Sequence, residues 1–369
     1  MRTLQIELPA IGAPETLRAV RRELPEPGAG EALVRVEATG VSFAEQQMRR
    51  GKYYDQPAFP FVPGYDLVGV IERLGGGSEA AGAGSGAAGA GSGAAGADGG
   101  AAGAGDGLRP GMRVAALTRT GAWAERVVLD RADLVPLPDG LDAVAAETAI
   151  VNGVTAQRML HRSAKVSAGE TIVVLGAAGG VGSLLVQLAR AAGVRVIGVA
   201  GGRQQQGVAA LGAIAVDYRA EDVPARVREL APDGVAAVFD HVGGAGIEAS
   251  WRMLARGGTL VSYGTAATKD EPGNPRLPVL KLLGRLTLWN LLPNGRRALF
   301  FNLWAGRRLR PARYRAELRE DLTRLFALLA DGELRAQVAG RFPLADAAAA
   351  LRFAEQGGNT GKVVLLAGA

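Results

Sequence analysis

The stretch TIVVLGAAGGVGSLLVQLAR, Thr171 to Arg190, sets a knot of small residues between a β-branched apolar run and an apolar run able to form a helix. Its register is Ala177-x-Gly179-x-x-Gly182, with further glycines at Gly176 and Gly180 and with Ala178 and Val181 between them. A strand ending at Leu175 and a helix expected from about Ser183 make this pattern a dinucleotide cradle. Gly179 lets the backbone approach a pyrophosphate, and Gly182 lets the helix pack closely on the strand. Backbone N–H groups at the helix start, reinforced by the helix dipole, then hold the phosphates. Alanine at the first position still permits the turn. No Gly-Lys-Ser/Thr follows, which excludes the phosphate loop of the ATPases.

The end of the next strand discriminates between nucleotides. A site for NADH carries Asp or Glu there to accept from the ribose 2′-hydroxyl. Here the strand ends VIGVAGGRQQQ, and no acidic residue occurs between Glu170 and Asp217. Arg203 stands where a 2′-phosphate would lie, and a fixed fork of donors suits a phosphate. The pattern favours NADPH over NADH; the other reading of Arg203 is a solvated loop arginine.

Other chemistries are excluded by what the chain lacks. Its 369 residues include no cysteine, so disulfides, thiolate nucleophiles and cysteine-ligated zinc are ruled out together. The two histidines, His161 and His241, have no partner at metal-ligand spacing, and no metal site is expected. The net charge of +6 is carried mostly by arginine. Such a field recruits polyanions, or simply reflects an arginine-rich composition. The N-terminus has no apolar core of signal-peptide length. The apolar segment LPVLKLLGRLTLWNLLPNGRRALFFNLW is interrupted by Lys281, Arg285, Arg296 and Arg297, short of the ~20 apolar residues a spanning helix needs. The expectation is a cytoplasmic protein without a transmembrane segment.

The elements that must position the cradle follow from periodicity. The first ~70 residues read as strands and turns, with EALVRVEATGVS and DLVGVIERLG as half-buried strands. Residues 75–107 are almost wholly glycine, alanine and serine, with the unit AGAGSGA twice in tandem. No side chain there can anchor a core, so a flexible insertion is expected, with silk-like strand stacking as the alternative. From about Glu147, strands alternate with helices at ~20–25 residue intervals, which implies a parallel sheet with crossover helices. YRAELREDLTRLFALLADG carries Leu318, Leu322, Leu325, Phe326 and Leu329 on one helical face. GKVVLLAG forms a last strand.

Taken in order, GVSFAEQQMRRGKYY, PFVPGYDLVGVIERLG, LRPGMRVAAL, GAWAERVVL, VNGVTAQRML, GAAGGVG, VFDHVGG, GTLVSYGT and NTGKVVLL resemble the zinc-independent quinone oxidoreductase branch of the medium-chain dehydrogenase/reductases. VNGVTAQRMLHR and the basic connection after SYGTAA are most similar to the vesicle amine transport protein 1-like subgroup. The resemblance implies an α/β fold: a Rossmann doubly wound parallel sheet plus a GroES-like β-barrel catalytic domain. It places the catalytic part at 1–135 and 333–369 and the NADP(H)-binding part at 136–332. It implies a homodimer that reduces quinones or activated enones and enals with NADPH. The family's cradle falls on Gly176 to Gly182. Its 2′-phosphate residues fall near Gly201 and Gln204, both replaced, which leaves Arg203, and its tyrosine at that phosphate matches Tyr218. Thr155 matches the residue beside the nicotinamide, with Asn152 one turn earlier. Val242 in DHVGG, Tyr263 and Gly264 in SYG, and Asn359 in NTGK match cofactor-lining positions. Zinc-dependent relatives carry Gly-His-Glu where this chain has Gly64-Tyr65-Asp66, so alcohol oxidation by metal polarisation is not expected.

Without a metal, the acceptor must be one that hydride delivery nearly reduces alone, a quinone or an electron-poor alkene conjugated to a carbonyl. Tyr53 is the candidate proton donor or oxyanion partner; the other reading is a tyrosine capping the barrel with its hydroxyl in solvent. Ser42 and Asn152 are candidate carbonyl contacts, and Asp66 reads as a structural carboxylate. A rival function is binding of RNA or an anionic membrane surface through Arg296, Arg297, Arg307, Arg308, Arg310, Arg313 and Arg315 beside Phe300 and Trp304.

Overall fold

The structure is a computed structural model and describes residues 1–76, 107–268 and 276–368. The core of the expected Gly/Ala insertion, 77–106, lies outside the described residues.

The N-terminal part is β. Strands β1 (Arg2–Glu7) and β2 (Arg18–Glu23) pair antiparallel, followed by β3 (Glu31–Val41), helix α1 (Phe43–Arg49), β4 (Asp66–Leu74), β5 (Arg113–Leu117), β6 (Arg126–Asp130) and β7 (Val135–Pro136). Alternation in β3 and β4 sends Val34, Val36, Leu67 and Ile71 into one core, with Trp123 fully buried among them. The Trp123 Nε1 donates to the Gly40 carbonyl at 2.9 Å, satisfying the one polar atom of that side chain. Helix α1 does not follow from a strands-and-turns reading of this region. Its start is a capping box: Ser42 Oγ accepts from Ala44 N, and Ser42 N donates to Glu45 at 2.8 Å.

Helices α2 (Ala143–Ala149) and α3 (Val151–Gln157) lead, through a π-helical turn at Arg158–Ala164, into the second sheet. Its elements are β8 (Thr171–Leu175), α4 (Gly180–Ala191), β9 (Arg195–Ala200), α5 (Gln205–Ala210), β10 (Ile214–Asp217), α6 (Val223–Leu230), β11 (Val235–Asp240), α7 (Ile247–Arg252), β12 (Leu254–Ser262), α8 (Arg276–Asn290) and β13 (Arg297–Phe300). All pairings are parallel, in the order β10-β9-β8-β11-β12-β13. That is the Rossmann order, and it reverses direction at β8, where ligands bind beyond the carboxyl ends of the strands. The strands read as continuous apolar runs because helices cover both faces; Val173, Ile197 and Val238 are fully buried.

Helix α9 (Pro311–Ala330) buries Leu318, Leu322, Leu325 and Phe326, as its spacing predicts. The chain then returns through β14 (Val338–Pro343), α10 (Ala347–Glu355) and β15 (Lys362–Leu366) to the first sheet, whose order is β14-β15-β3-β4-β5-β7 with β6 on β3. This sheet is the GroES-like part of the fold. A continuous apolar core runs from Met48 and Tyr53 through α3 and α4 to Phe239, so the two sheets share packing across their junction.

Candidate active site at the junction of the two sheets

A cavity of about 890 Å³ opens between the barrel residues 41–65 and the carboxyl ends of β8 and β11. Its floor is the glycine knot. Gly176 has φ +68°, a left-handed conformation that turns the chain out of β8, with the His241 ring packed where a side chain would grow. Helix α4 begins at Gly180, with Gly179 as its N-cap, three residues before the Ser183 start expected from the sequence. A Cβ on Gly182 would collide with the Gly176 carbonyl, which is the close helix-to-strand packing the motif demands. At Gly179 an added Cβ would meet only the Gly176 oxygen, at 3.3 Å, so the cavity side of this residue is open for a ligand. The knot is braced from outside: Gly361 N donates to Ala178 O at 2.9 Å, and Gln204 Nε2 donates to Asn359 O at 2.7 Å.

Most of the expected residues meet here. Ser42, Tyr53, Asn152, Thr155, Gly176, Ala178, Gly179, Gly180, Val181, Gly182, Gly201, Tyr218, Val242, Tyr263, Gly264 and Asn359 all line the cavity. Ala177 does not; it is fully buried beneath the cradle, its N–H donating to Val199 O at 3.0 Å. Arg203 is exposed, outside the lining, and its guanidinium has no partner among the described residues.

Asn152 and Thr155 sit three residues apart on α3 and so share a face. They are only 7% and 8% exposed, line the cavity, and their side chains have no hydrogen-bond partner among the described residues. Their polar groups are therefore free to bond a molecule in the cavity. Ser42 is different: its hydroxyl donates to Glu45 and its oxygen caps α1, so its proton is already committed.

Tyr53 is not turned to solvent. Its hydroxyl bonds the Tyr65 hydroxyl, which accepts from Trp304 Nε1 at 3.2 Å. Burial pushes both tyrosine hydroxyls well above their ordinary range, so both stay protonated. Tyr65, Trp304 and the half-buried Tyr54 complete an aromatic wall that the sequence does not reveal, since Trp304 joins the tyrosines from a segment 239 residues beyond Tyr65. Asp66 is structural, as expected. Its Oδ2 accepts from Val151 N at 2.9 Å and from Lys362 Nζ at 2.7 Å, and Lys362 also reaches Glu147 Oε1 at 2.5 Å. This buried cluster ties β4, α2, β15 and the first residue of α3 together.

The loop after β11 is held by Asp240, whose Oδ1 accepts from Val242 N and Gly243 N and whose Oδ2 accepts from Ser250. His241 Nδ1 lies 3.1 Å from Leu175 O, and burial lowers its pKa, which favours the neutral ring.

The basic segment is largely consumed within the chain. Arg296 donates to the Trp251 and Ala255 carbonyls, Arg307 faces Asp133, Arg313 pairs Glu317, and Arg315 pairs Asp130 and Asp133. Phe300 and Trp304 pack against the cores and are not freely exposed. Arg297, Arg308 and Arg310 are left without an intramolecular partner among the described residues. No helix of the described residues is long and apolar enough to cross a membrane.

A doubly wound sheet joined to a GroES-like barrel, with the cleft between them floored by a glycine cradle, is the architecture of the medium-chain dehydrogenase/reductases. Residues 28–139 match the alcohol dehydrogenase GroES-like domain, and residues 211–365 match the model described as zinc-binding dehydrogenase. The chain is 32% identical to a quinone oxidoreductase of Pseudomonas aeruginosa, over 98% of this chain and 99% of that one. It is 28% identical to the synaptic vesicle membrane protein VAT-1 homolog of Mus musculus, over 93% of this chain and 78% of that one. Among solved structures, the quinone oxidoreductase of Thermus thermophilus, known also in complex with NADPH, is 33% identical, with a TM-score of 0.73 and coverage of 98% and 99%. A mycobacterial protein solved with NADPH is 31% identical, with a TM-score of 0.78 and coverage of 99% of each chain. The chain belongs to the zinc-independent quinone oxidoreductase branch of that superfamily, and it is an oxidoreductase.

Proposed function

We propose that this oxidoreductase uses NADPH and reduces quinones or activated alkenes, enones and enals among them, without zinc. The observation that carries the reading is the glycine cradle opening into the same cavity as the unpartnered Asn152 and Thr155 and the protonated Tyr53. The cradle fits a dinucleotide: Gly179 is open toward the cavity, and Gly176, Gly180 and Gly182 leave no room for side chains that would fill it. Gly176 to Gly182 would hold the pyrophosphate, with Thr155, Val242, Tyr263 and Gly264 toward the nicotinamide. When bound, NADPH supplies the hydride.

The chain's own residues do the rest. The Asn152 amide donates to the acceptor's carbonyl oxygen and stabilises the charge that develops there. Tyr53, kept protonated by burial, donates a hydrogen bond to that oxygen, which takes its proton from water as the product leaves; Tyr65 and Trp304 fix the Tyr53 orientation through the hydroxyl chain. The aromatic wall positions a flat acceptor and excludes water. The absence of cysteine, with Tyr65 turned to Trp304 and Asp66 to Lys362, supports chemistry without zinc. The reading takes 1–135 with 333–369 as the catalytic part and 136–332 as the nucleotide part. It extends to a cytoplasmic homodimer, supported by the family resemblance alone. The test is NADPH consumption against a panel of quinones, enones and enals. Turnover with at least one is expected, and no turnover with any, despite NADPH binding, refutes the proposal.

A further inference from the structure

At the end of β9 the chain passes through Gly201, which is buried at the edge of the cavity, before turning outward at Gly202. Two side chains from the end of β10 stand over it. A Cβ on Gly201 would lie 3.5 Å from Tyr218 Cε1, 3.7 Å from the Tyr218 hydroxyl and 3.7 Å from Arg219 Nε. The Arg219 guanidinium lies over the Tyr218 ring, 5.6 Å from its centroid, and its Nε donates to the Tyr218 hydroxyl at 3.3 Å. Among the described residues no carboxylate pairs with the Arg219 side chain: Asp217 Oδ1 takes its backbone N–H, and the ion pairs of the neighbourhood leave this guanidinium aside. Its terminal N–H groups therefore remain available as a planar fork, the geometry that matches a phosphate. Neither Arg219 nor Arg203 lines the cavity itself, but Arg219 packs on Tyr218 and beside Gly201, which do.

We infer that Arg219, stacked on Tyr218 over Gly201, is the residue that recognises the 2′-phosphate of the nucleotide, in place of Arg203. The inference rests on the NADPH reading above. The Asp217 carboxylate comes close to Gly202, its Oδ2 lying 2.8 Å from where a Cβ would be. With the arginine removed, this edge presents a carboxylate able to accept from a ribose 2′-hydroxyl and to repel a 2′-phosphate. The arginine thus sets the sign of the discrimination.

The test is binding of 2′,5′-ADP and 5′-AMP, fragments that differ only in the 2′-phosphate, to the full chain by calorimetry. The wild type is expected to prefer 2′,5′-ADP. R219A should lose about tenfold in affinity for 2′,5′-ADP, the worth of one charge-assisted bond at an exposed site, and retain 5′-AMP binding, which also reports that the variant is folded. R219K should recover part of the loss. Preference unchanged in R219A, or lost in R203A instead, overturns the assignment of Arg219 alone. A wild type that does not prefer 2′,5′-ADP overturns the NADPH reading and this inference with it.

Discussion

Replacing Lys362 with methionine tests the joint on which the site is built. Lys362 is 3% exposed, and its ammonium lies between Asp66 and Glu147, both fully buried. Burial pushes the Glu147 carboxyl well above its ordinary range even with Lys362 beside it. Burial also works against the Lys362 charge, but Asp66 and Glu147 more than offset it and hold the ammonium above its usual value. Asp66 Oδ1 and Glu147 Oε2 have no hydrogen-bond partner among the described residues, so nothing else compensates once the cation is gone. Removing one member of a buried pair costs about 3–5 kcal/mol. For 369 residues the unfolding entropy is roughly 0.8 kcal/mol/K, so K362M should melt about 4–6 °C lower at neutral pH. In the variant the Glu147 carboxyl, already raised by burial, loses the cation that opposes the rise. Its protonated form therefore favours the fold at low pH, and that contribution fades as pH rises through the raised value. The deficit relative to wild type should be largest near pH 8 and shrink toward pH 5, as read by thermal melts across that range. Since Asp66 also anchors Val151, adjacent to Asn152, nucleotide binding should weaken alongside. A deficit under about 1 °C at pH 8, or one that does not change with pH, refutes the account of the cluster.

Three further outcomes follow from the geometry. G179V should abolish nucleotide binding with little change in melting temperature, whereas G182A should lose both, because its methyl group would strike the Gly176 carbonyl and overpacking costs about 1–3 kcal/mol; calorimetry and thermal melts on the pair separate the two. Y53F should lower kcat by about 10²-fold or more, in the range of a lost oxyanion hydrogen-bond donor, while leaving nucleotide affinity unchanged; unaltered kcat removes Tyr53 from the mechanism. His241 is buried with a lowered pKa, so its neutral form contributes stability above the unfolded pKa near 6.5 that is lost as pH falls below it. H241N should flatten the melting-temperature profile between about pH 6.5 and 5.

The parts of this molecule written in local pattern are legible without the fold. The parallel sheet, the cradle and the buried stripe of α9 all depend on spacing within one segment. Helix α1 is also legible in principle, since Ser42-Phe43-Ala44-Glu45 is a capping box, but the surrounding strand pattern masks it. Other features exist only in three dimensions. Tyr65 meets Trp304 across the cleft, and Lys362 meets Asp66 from the far end of the chain. Arg219 reaches Gly201 only because β10 runs beside β9, a neighbour relation set by sheet order. The basic run misleads for the same reason: charge is visible in sequence, but Asp130 and Asp133, which neutralise Arg315, lie in a distant segment.

The bridge between Gly179 and Gly361 also bears on how the protein is made. The cradle is translated long before the segment that braces it, and the sheet containing β3 cannot take in β15 until that segment has emerged. Domains fold from the N-terminus as they are synthesised, yet here the nucleotide pocket stays without its outer wall while the ribosome is still adding residues 340–361. The braced nucleotide pocket is therefore complete only late in synthesis. The nucleotide selects for completed molecules, and a nascent chain stalled before Gly361 should pass through nucleotide affinity resin unbound while the finished protein is retained.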